Sequence, residues 1–173
     1  MKELILGGTR SGKSRLAQER AIASGLPVTY IATATAGDDE MAARIQCHQR
    51  ERPVEWALIE APIGLAEALR QRAGPDRCLL VDCLTLWLSN LLGFATEAEF
   101  QQQRQALLDL LPQLPGYIIL VSNEVNMGVV PMGELSRRFC DEAGWLHQTL
   151  AQQCQRVTLT VAGLPLQLKG EPF

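Results

Sequence analysis

The chain lacks an excess of positive charge. Its 173 residues include 16 Lys and Arg against 19 Asp and Glu, a formal net charge of -3. Proteins that hold a nucleic-acid backbone neutralise its phosphates with clustered Lys and Arg, and no basic segment interleaved with aromatic residues occurs here. The charge balance disfavours a polynucleotide partner, so we expect no nucleic acid among the ligands.

Cysteine pairs and long hydrophobic runs are also missing. The five cysteines are odd in number and include no C-x-x-C pair, which suits neither a disulfide framework nor a zinc ribbon. No apolar run approaches the ~20 residues that cross a bilayer, and the sequence after Met1 has no signal-peptide pattern. We expect reduced thiols in a cytoplasmic protein without stable membrane insertion. The cysteines are Cys47, Cys78, Cys83, Cys140 and Cys154.

The overall composition is that of an ordinary globular protein. Hydrophobic residues make up 47% of the chain and charged residues 20%, which is close to the average for soluble domains. A chain of this length buries roughly 70% of its unfolded surface in one core. We therefore expect a single domain that spans residues 1–173.

Short apolar runs alternate with stretches of helical periodicity, which predicts a mostly parallel central sheet flanked by helices. Runs such as LLVD and YIILV are continuously apolar, as buried parallel strands are. The run RVTLTVAG fits a strand that could lie at an edge of the sheet. The predicted strands cover residues 3–6, 28–32, 78–81, 117–121 and 157–162. The predicted helices cover residues 13–24, 39–50, 63–73, 84–92, 97–111 and 133–155. In the last helix one apolar face should pack on the sheet, and it comprises Leu135, Phe139, Ala143, Leu146 and Leu150.

The strongest motif is GGTRSGKS, which satisfies G-x-x-x-x-G-K-[ST] between an apolar strand and a helix. Glycines let successive backbone N–H groups converge on phosphate oxygens, and the helix that follows directs its positive dipole end to the same anion. We expect Lys13 to reach the β- and γ-phosphates and Ser14 to ligate a Mg²⁺ ion that bridges them. The motif comprises Gly7, Gly8, Thr9, Arg10, Ser11, Gly12, Lys13 and Ser14.

An acidic residue at the end of a buried strand is the second requirement of phosphate-loop chemistry, because it holds the magnesium shell. The run CLLVD supplies Asp82. An acid at this place can also cap the helix that begins near Leu84, and the two roles can coexist.

A third feature is a basic helix face between residues 38 and 53. Arg44, His48 and Arg52 lie at four-residue spacing and so share one face of the predicted helix. A histidine among polar residues is usually just exposed to solvent. Neutral imidazole flanked by guanidinium groups also suits a nucleophile for phosphorus chemistry, because the cations neutralise the phosphates being displaced.

A fourth feature is the segment VSNEVNMGVVP after the predicted strand at 117–121. Asn123 and Glu124 fall at the carboxyl edge of the sheet, where open α/β folds bind their ligands. The apolar Met127, Val129 and Val130 fit either the core or the wall of a pocket, and a purely structural loop is an equally good interpretation. The tryptophans Trp56 and Trp87 are more typical of core anchors than of substrate platforms.

These segments together resemble one family, the bifunctional adenosylcobinamide kinase / adenosylcobinamide-phosphate guanylyltransferase. The matching pieces are GGTRSGKS, YIATA, DDEMAARI followed by His48, DCLTLWLSNLL, SNEV followed by MGVVP, and VAGLPLQLK. They span nearly the whole chain in the order of the family. The resemblance implies a RecA-like P-loop NTPase fold.

The resemblance also implies two reactions. ATP or GTP phosphorylates the hydroxyl of adenosylcobinamide, and GTP then transfers GMP to that phosphate through a guanylyl-histidine on His48, with Mg²⁺ as cofactor. It implies a homotrimer, for which the apolar segment 84–94 fits either an interface or a buried helix. Beyond the phosphate loop, the nucleotide contacts implied by the resemblance are Ala32, Thr33, Ala34, Gln49, Arg50, Glu51, Arg52, Glu60 and Asp82.

The chain departs from the family at two places, since Cys47 stands where some members have a second histidine and Asn126 replaces a loop glycine.

One alternative function is that of a phosphate-loop kinase for small molecules, which lacks guanylyl transfer and does not need His48. A regulatory GTP switch usually has an N-K-x-D segment where this chain has SNEV. A recombinase-like ATPase that acts on DNA is disfavoured by the charge of -3.

Overall fold

A seven-stranded sheet forms the centre of the molecule. The computed structural model describes residues 1–35 and 53–171. In the described part the strand order is β3-β2-β4-β5-β1-β6-β7, and all neighbouring strands are parallel except β6 and β7. The strands are β1 (Lys2–Gly7), β2 (Val28–Ala32), β3 (Ala57–Glu60), β4 (Cys78–Asp82), β5 (Tyr117–Asn123), β6 (Arg156–Val161) and β7 (Leu164–Lys169). The helices are α1 (Lys13–Ala23), α2 (Leu65–Arg72), α3 (Leu84–Phe94), α4 (Glu97–Leu110) and α5 (Glu134–Gln153).

Both faces of the sheet are buried, because its central strands carry apolar side chains on each face. Alternate residues of a strand point to opposite faces. Leu4 and Leu6 join a large cluster with residues of α2 to α5, whereas Ile5 joins a smaller cluster with Ala17 and Ala21 of α1. The described helices therefore cover the sheet in two layers, with α1 on one face and the other four on the opposite face.

The helical segments pack much as their periodicity predicts. In α5 the residues Ala143, Leu146 and Leu150 are buried, whereas Leu135 in the first turn is 63% exposed and so does not belong to the packed face. Segment 84–94 is a mostly buried helix rather than an open apolar surface, although Phe94 at its end is 77% exposed. No helix of the described ranges is long and apolar enough to cross a membrane.

Both tryptophans singled out above are core residues. Trp87 is fully buried, and its indole N–H donates to the Ile63 carbonyl oxygen at 2.7 Å. Trp56 is buried in the smaller cluster.

Five predicted strands are confirmed, and two further strands are present. β3 and β7 were not predicted, because β3 has only four residues and β7 is an exposed edge strand. The prediction that RVTLTVAG could lie at the edge is wrong, since β6 lies between β1 and β7. The chain reverses after β6 at Ala162 and Gly163, both with positive φ, and β7 returns as the edge strand. The predicted helix at 39–50 lies outside the described residues.

The parallel register brings the candidate residues to one edge of the sheet. Gly7 pairs with Asn123, while Ala32 pairs with Asp82 on one side and with Glu60 on the other. All five residues end their strands. Ligands of open α/β sheets bind at this carboxyl edge.

Candidate active site at the carboxyl edge of the sheet

The phosphate loop connects β1 to α1 through a tight backbone path. Gly12, which precedes α1, has φ +93, and a Cβ there would lie 3.2 Å from the Cα of Gly163. A Cβ on Gly7 would lie 2.7 Å from the carbonyl oxygen of Thr160. Glycine is therefore needed at Gly12 for its backbone conformation and at Gly7 for close approach to β6.

Neighbouring strands hold the loop in place. The backbone N–H of Gly163, in the β6–β7 turn, donates to the Ser11 carbonyl oxygen at 2.9 Å, and the N–H of Glu124 donates to the Gly7 carbonyl oxygen at 3.0 Å. Sequence reasoning did not anticipate the contribution of the β6–β7 turn, because that turn carries no phosphate-binding signature. The loop is preorganised by backbone contacts on both sides.

Replacing Gly12 is expected to destabilise the fold through this loop. A Gly12→Ala variant should lose about 1–2 kcal/mol for the left-handed backbone and a further ~1–3 kcal/mol for crowding against Gly163. Gly25→Ala is the matched control, because Gly25 also has positive φ (+66) but no described residue lies within 4 Å of a Cβ built there. Urea unfolding of the two variants measures the difference. Equal losses of unfolding free energy would contradict the contact with the β6–β7 turn.

The mouth of the loop carries a positive charge. Within residues 1–35 and 53–171, no atom lies within 4 Å of a Cβ built on Gly8, so the described chain leaves space above this residue. The Lys13 ammonium donates to the Gly8 carbonyl oxygen at 3.2 Å and thus lies across the loop. Lys13 and Ser14 also begin α1, whose unpaired N–H groups favour an anion. The arrangement fits a phosphate cradle.

Asp82 ends β4, and it does not cap the next helix. The N-cap of α3 is Cys83, and no side chain makes a capping hydrogen bond there. The Asp82 Oδ2 atom is buried and has no hydrogen-bond partner among the described residues. No cluster of three or more His, Cys, Asp or Glu occurs in residues 1–35 and 53–171. A single carboxylate with an unpaired oxygen fits Mg²⁺ that takes most of its ligands from phosphates and water.

The turn after β2 is fixed by side chains. The Thr33 hydroxyl donates to the Cys83 carbonyl oxygen at 2.7 Å and accepts from the Cys83 N–H at 2.9 Å. Asn90 on α3, which sequence reasoning missed, donates to the Thr33 carbonyl oxygen at 2.8 Å and to the Pro62 carbonyl oxygen at 3.0 Å. The Thr33 side chain therefore ties β2 to β4, and the Ala32–Ala34 turn lies beside Asp82.

Glu60 lies farther along the same edge. It ends β3 and its side chain is exposed. Four strand intervals separate β3 from β1, which is roughly 19 Å at a spacing of about 4.8 Å. Glu60 is therefore too far from the phosphate loop to contact phosphates bound there.

Five predicted site residues lie outside the described part of the chain. They are His48, Gln49, Arg50, Glu51 and Arg52. The described chain stops at Thr35, just after the carboxyl end of β2, and resumes at Pro53 before β3. The structure thus gives no distance between these residues and the phosphate loop.

Beside the loop, β5 ends in a buried polar network that sequence reasoning missed. Nε2 of His147, on α5, lies 2.8 Å from Ser122 Oγ, which in turn lies 3.2 Å from Thr85 Oγ1. The Asn123 N–H donates to Thr85 Oγ1 at 2.6 Å. The Nδ1 atom of His147 lies 3.8 Å from a Glu124 carboxylate oxygen. The sequence signal for this network was a histidine within the buried apolar stripe of the last helix.

The pKa of His147 makes stability depend on pH. Burial lowers this pKa below its usual 6.5, and the nearby Glu124 carboxylate only partly opposes the shift. The unfolded chain therefore binds a proton at a higher pH than the folded one. As the pH is lowered from 6.5, the free energy of unfolding should decrease by at most about 1.4 kcal/mol per pH unit. His147→Gln should lack this part of the pH dependence. Urea unfolding at pH 7.5, 6.5 and 5.5 compares the two proteins, and identical slopes would contradict a neutral buried imidazole.

The loop after Glu124 lies against α5 and faces solvent. Asn126 is not among the positive-φ residues, and its side-chain amide donates to the Cys140 carbonyl oxygen at 3.0 Å. The asparagine that replaces the family glycine therefore anchors the loop to α5. Met127, Val129 and Val130 are exposed rather than part of the core. A groove of about 470 Å³ lies between this loop and α5.

The described cysteines are free thiols. Burial raises the pKa of Cys78 and of Cys154 to about 12 and that of Cys83 to about 11. These three thiols therefore stay protonated and unreactive near neutral pH.

Solved structures with the same architecture confirm the predicted fold class. A protein of Pyrococcus horikoshii OT3 aligns with 99% of this chain and 87% of its own length, at a TM-score of 0.59 and 10% identity. The P4 protein of bacteriophage phi6, solved with ADP, aligns with 95% of this chain and 53% of its own (TM-score 0.51, 14% identity). The RadB recombinase aligns with 91% of this chain and 73% of its own (TM-score 0.50, 17% identity). The fold is that of a RecA-like P-loop NTPase.

Sequence relatives cover the full length of the chain. The bifunctional adenosylcobalamin biosynthesis protein CobP of Pseudomonas aeruginosa is 62% identical over 173 residues, which is all of both chains. The bifunctional adenosylcobalamin biosynthesis protein CobU of Salmonella typhimurium is 38% identical over 98% of this chain and all of its own. The family model described as cobinamide kinase / cobinamide phosphate guanyltransferase matches residues 3–168. With its phosphate loop and strand-end aspartate in place, the chain belongs to the cobinamide kinase / cobinamide phosphate guanyltransferase family.

Proposed function

We propose that this protein catalyses two successive reactions of cobalamin biosynthesis. In the first, ATP or GTP phosphorylates the hydroxyl of adenosylcobinamide. In the second, GMP passes from GTP to that phosphate, which yields adenosylcobinamide-GDP and pyrophosphate. The observation that carries the proposal is the phosphate loop, which backbone hydrogen bonds hold in place on both sides. Asp82 ends a strand two positions away in the sheet, and the chain matches the family over residues 3–168.

The phosphate loop would serve the kinase step by binding the triphosphate. Lys13 and the N–H groups at the start of α1 offset the charge that builds on the phosphates as the γ-phosphoryl group moves to the acceptor. Because backbone contacts from β6–β7 and β5 already hold the loop, little reorganisation accompanies binding. Lys13 is thus one catalytic residue that the described part of the chain supplies.

Guanylyl transfer would proceed through His48. The neutral imidazole attacks the α-phosphorus of GTP, the bond to the bridging oxygen breaks, and pyrophosphate leaves with that electron pair. The phosphate of adenosylcobinamide phosphate then attacks the same phosphorus and releases the imidazole. The support for this step is the family match together with His48 among Arg44 and Arg52 in the sequence.

The same sheet edge would hold the metal ion and the rest of the nucleotide. Ser14 and Asp82 would hold Mg²⁺, directly or through water, since the Asp82 Oδ2 atom has no hydrogen-bond partner in the described part of the chain. When bound, Mg²⁺ supplies charge that stabilises the developing phosphate negative charge. The remaining proposed nucleotide contacts are Ala32, Thr33, Ala34, Gln49, Arg50, Glu51, Arg52 and Glu60.

A homotrimer of single-domain subunits that span residues 1–173 completes the proposal. The edge strand β7 presents the exposed Leu164, Leu166 and Leu168, an apolar stripe that association would cover. Light scattering should give three times the 19.0 kDa subunit mass.

Product analysis tests the two-step function. The protein is incubated with adenosylcobinamide, Mg²⁺ and ATP, and GTP is then added. Mass spectrometry should detect adenosylcobinamide phosphate first and adenosylcobinamide-GDP only after GTP is present. Formation of the phosphate alone, with GTP present and the protein folded, would favour the single-activity kinase instead.

A further inference from the structure

A chain of hydrogen bonds ends beside Glu124, next to the phosphate loop. Of its members, Ser122 and His147 are buried, the latter with only 6% exposed. The His147 Nδ1 atom has no hydrogen-bond partner among the described residues, and the Glu124 carboxylate is the acceptor that faces it. Neither the phosphate loop nor the proposed metal site uses this network.

The Glu124 carboxylate indicates which ring nitrogen of His147 carries the hydrogen. Each hydroxyl of the network has one hydrogen and two lone pairs, so Thr85 Oγ1, which accepts from the Asn123 N–H, can either donate to Ser122 or accept from it. A carboxylate only accepts, so the neutral ring that it attracts is the one with hydrogen on Nδ1. With the hydrogen there, Nε2 accepts from the Ser122 hydroxyl.

Glu124 is fixed where a substrate of the phosphate loop would arrive. Its backbone N–H donates to Gly7, the first residue of the loop, and its Oε1 accepts from the Asn126 N–H at 2.7 Å. Its side chain is 16% exposed, so the carboxylate remains accessible from the edge of the sheet. β5 lies between β4, which ends in Asp82, and β1. Glu124 therefore stands between the loop and Asp82, whereas Glu60 is four strands from the loop.

We propose that Glu124 is the general base of the kinase step and that His147 is its positioning residue. The inference rests on the proposed function. The substrate hydroxyl gives its proton to the Glu124 carboxylate as its oxygen bonds to the γ-phosphorus. The bond from that phosphorus to the β–γ bridging oxygen breaks, and the nucleoside diphosphate leaves with the electron pair. The protonated carboxyl group then releases its proton to water.

The positioning role follows from the burial of His147. The ring is too buried to meet a substrate, but its Nδ1–H can fix Oε2 of the carboxylate, while Oε1, which accepts from the Asn126 N–H, keeps a second lone pair for the substrate hydroxyl. The present separation of 3.8 Å is longer than a hydrogen bond, and such contacts often tighten only when substrate binds.

The variant Glu124→Gln tests the base. Its kinase kcat should fall about 10²–10⁴-fold, which is the usual contribution of a general base. Covalent labelling, the transfer of GMP from GTP to His48, should persist, because that step removes no hydroxyl proton. Glu134→Gln, at an exposed carboxylate in the first turn of α5, is the matched control and should keep both activities. Persistent labelling also shows that the variant is folded.

Two outcomes would overturn the assignment. An unchanged kinase kcat in Glu124→Gln would mean that another group takes the proton. Parallel loss of kinase activity and labelling in a folded variant would place Glu124 in nucleotide binding rather than proton transfer. Absence of both reactions in the unmodified protein would instead contradict the proposed function. If Glu124→Gln does not fold, Glu124→Asp should keep labelling and lose part of the kinase rate, and an unchanged rate there would overturn the assignment.

Two substitutions of His147 separate positioning from structure. Asn places a side-chain amide near the position of Nδ1, whereas Gln places it near Nε2. His147→Asn should therefore keep more kinase kcat than His147→Gln, although it gives up the contact with Ser122. The reverse order would mean that the Ser122 contact matters and that His147 is structural.

The position of the hydrogen on His147 can also be measured directly. ¹⁵N NMR should show hydrogen on Nδ1 of His147, and the signal is assignable because the chain has only two histidines. Hydrogen on Nε2 would contradict the contact of an Nδ1–H with Glu124.

Discussion

Lys13→Ala is expected to lose both activities, each by about 10²–10³-fold, the effect of removing one preorganised donor from a charged transition state. The Lys13 ammonium lies across the phosphate loop, bonded to the Gly8 carbonyl oxygen. Both reactions displace a phosphate of a bound triphosphate, so one cation serves both. Steady-state assays with adenosylcobinamide and with adenosylcobinamide phosphate measure the two losses separately.

The control for charge is Arg70→Ala, which removes an exposed basic side chain on α2. This variant should keep both activities. Loss of only one activity in Lys13→Ala, with the other at the level of the unmodified protein, would mean that the two reactions use different phosphate sites.

His48→Ala is expected to abolish guanylyl transfer and to leave the kinase reaction running. Removal of an enzyme nucleophile costs on the order of 10⁶-fold in kcat, and no other imidazole can replace it, because the only other histidine, His147, is buried in the core. Adenosylcobinamide phosphate should therefore accumulate when the variant receives ATP and GTP together. Quantifying both products by mass spectrometry measures the split.

The neighbouring Cys47→Ala is the matched control, because Cys47 stands where some members of the family have a second histidine. It should keep both activities. If instead His48→Ala retained guanylyl transfer, or lost both activities equally while folded, the division of roles between Lys13 and His48 would be wrong.

The elements predicted most accurately are those with a local cause. β2 matches its predicted bounds, and β1 and β4 extend theirs by one or two residues, because continuous apolar runs can only be buried strands here. The phosphate loop was predictable because its glycines are required by the backbone itself, as the φ of +93 at Gly12 confirms. Asp82 was also predictable, because it is the acidic residue at the end of a continuously apolar strand.

What the sequence did not predict depends on contacts between distant segments. Gly163 supports the phosphate loop across more than 150 residues of chain, and nothing near it in the sequence indicates that role. Likewise Asn90 and Ser122 look like ordinary polar residues, and only the packing of α3 and α5 on the sheet shows which groups they meet. β7 has alternating apolar residues but remains exposed, so burial could not identify it.

The most direct test of the two-step account is covalent labelling with GTP that carries radioactive phosphorus at the α-position. The protein is incubated with this GTP and Mg²⁺, denatured, and digested, and the labelled peptide is identified by mass. The account predicts acid-labile, base-stable label on His48, as a phosphoramidate requires. A folded sample that binds GTP but acquires no label, or acquires it at another residue, would contradict a guanylyl-His48 intermediate.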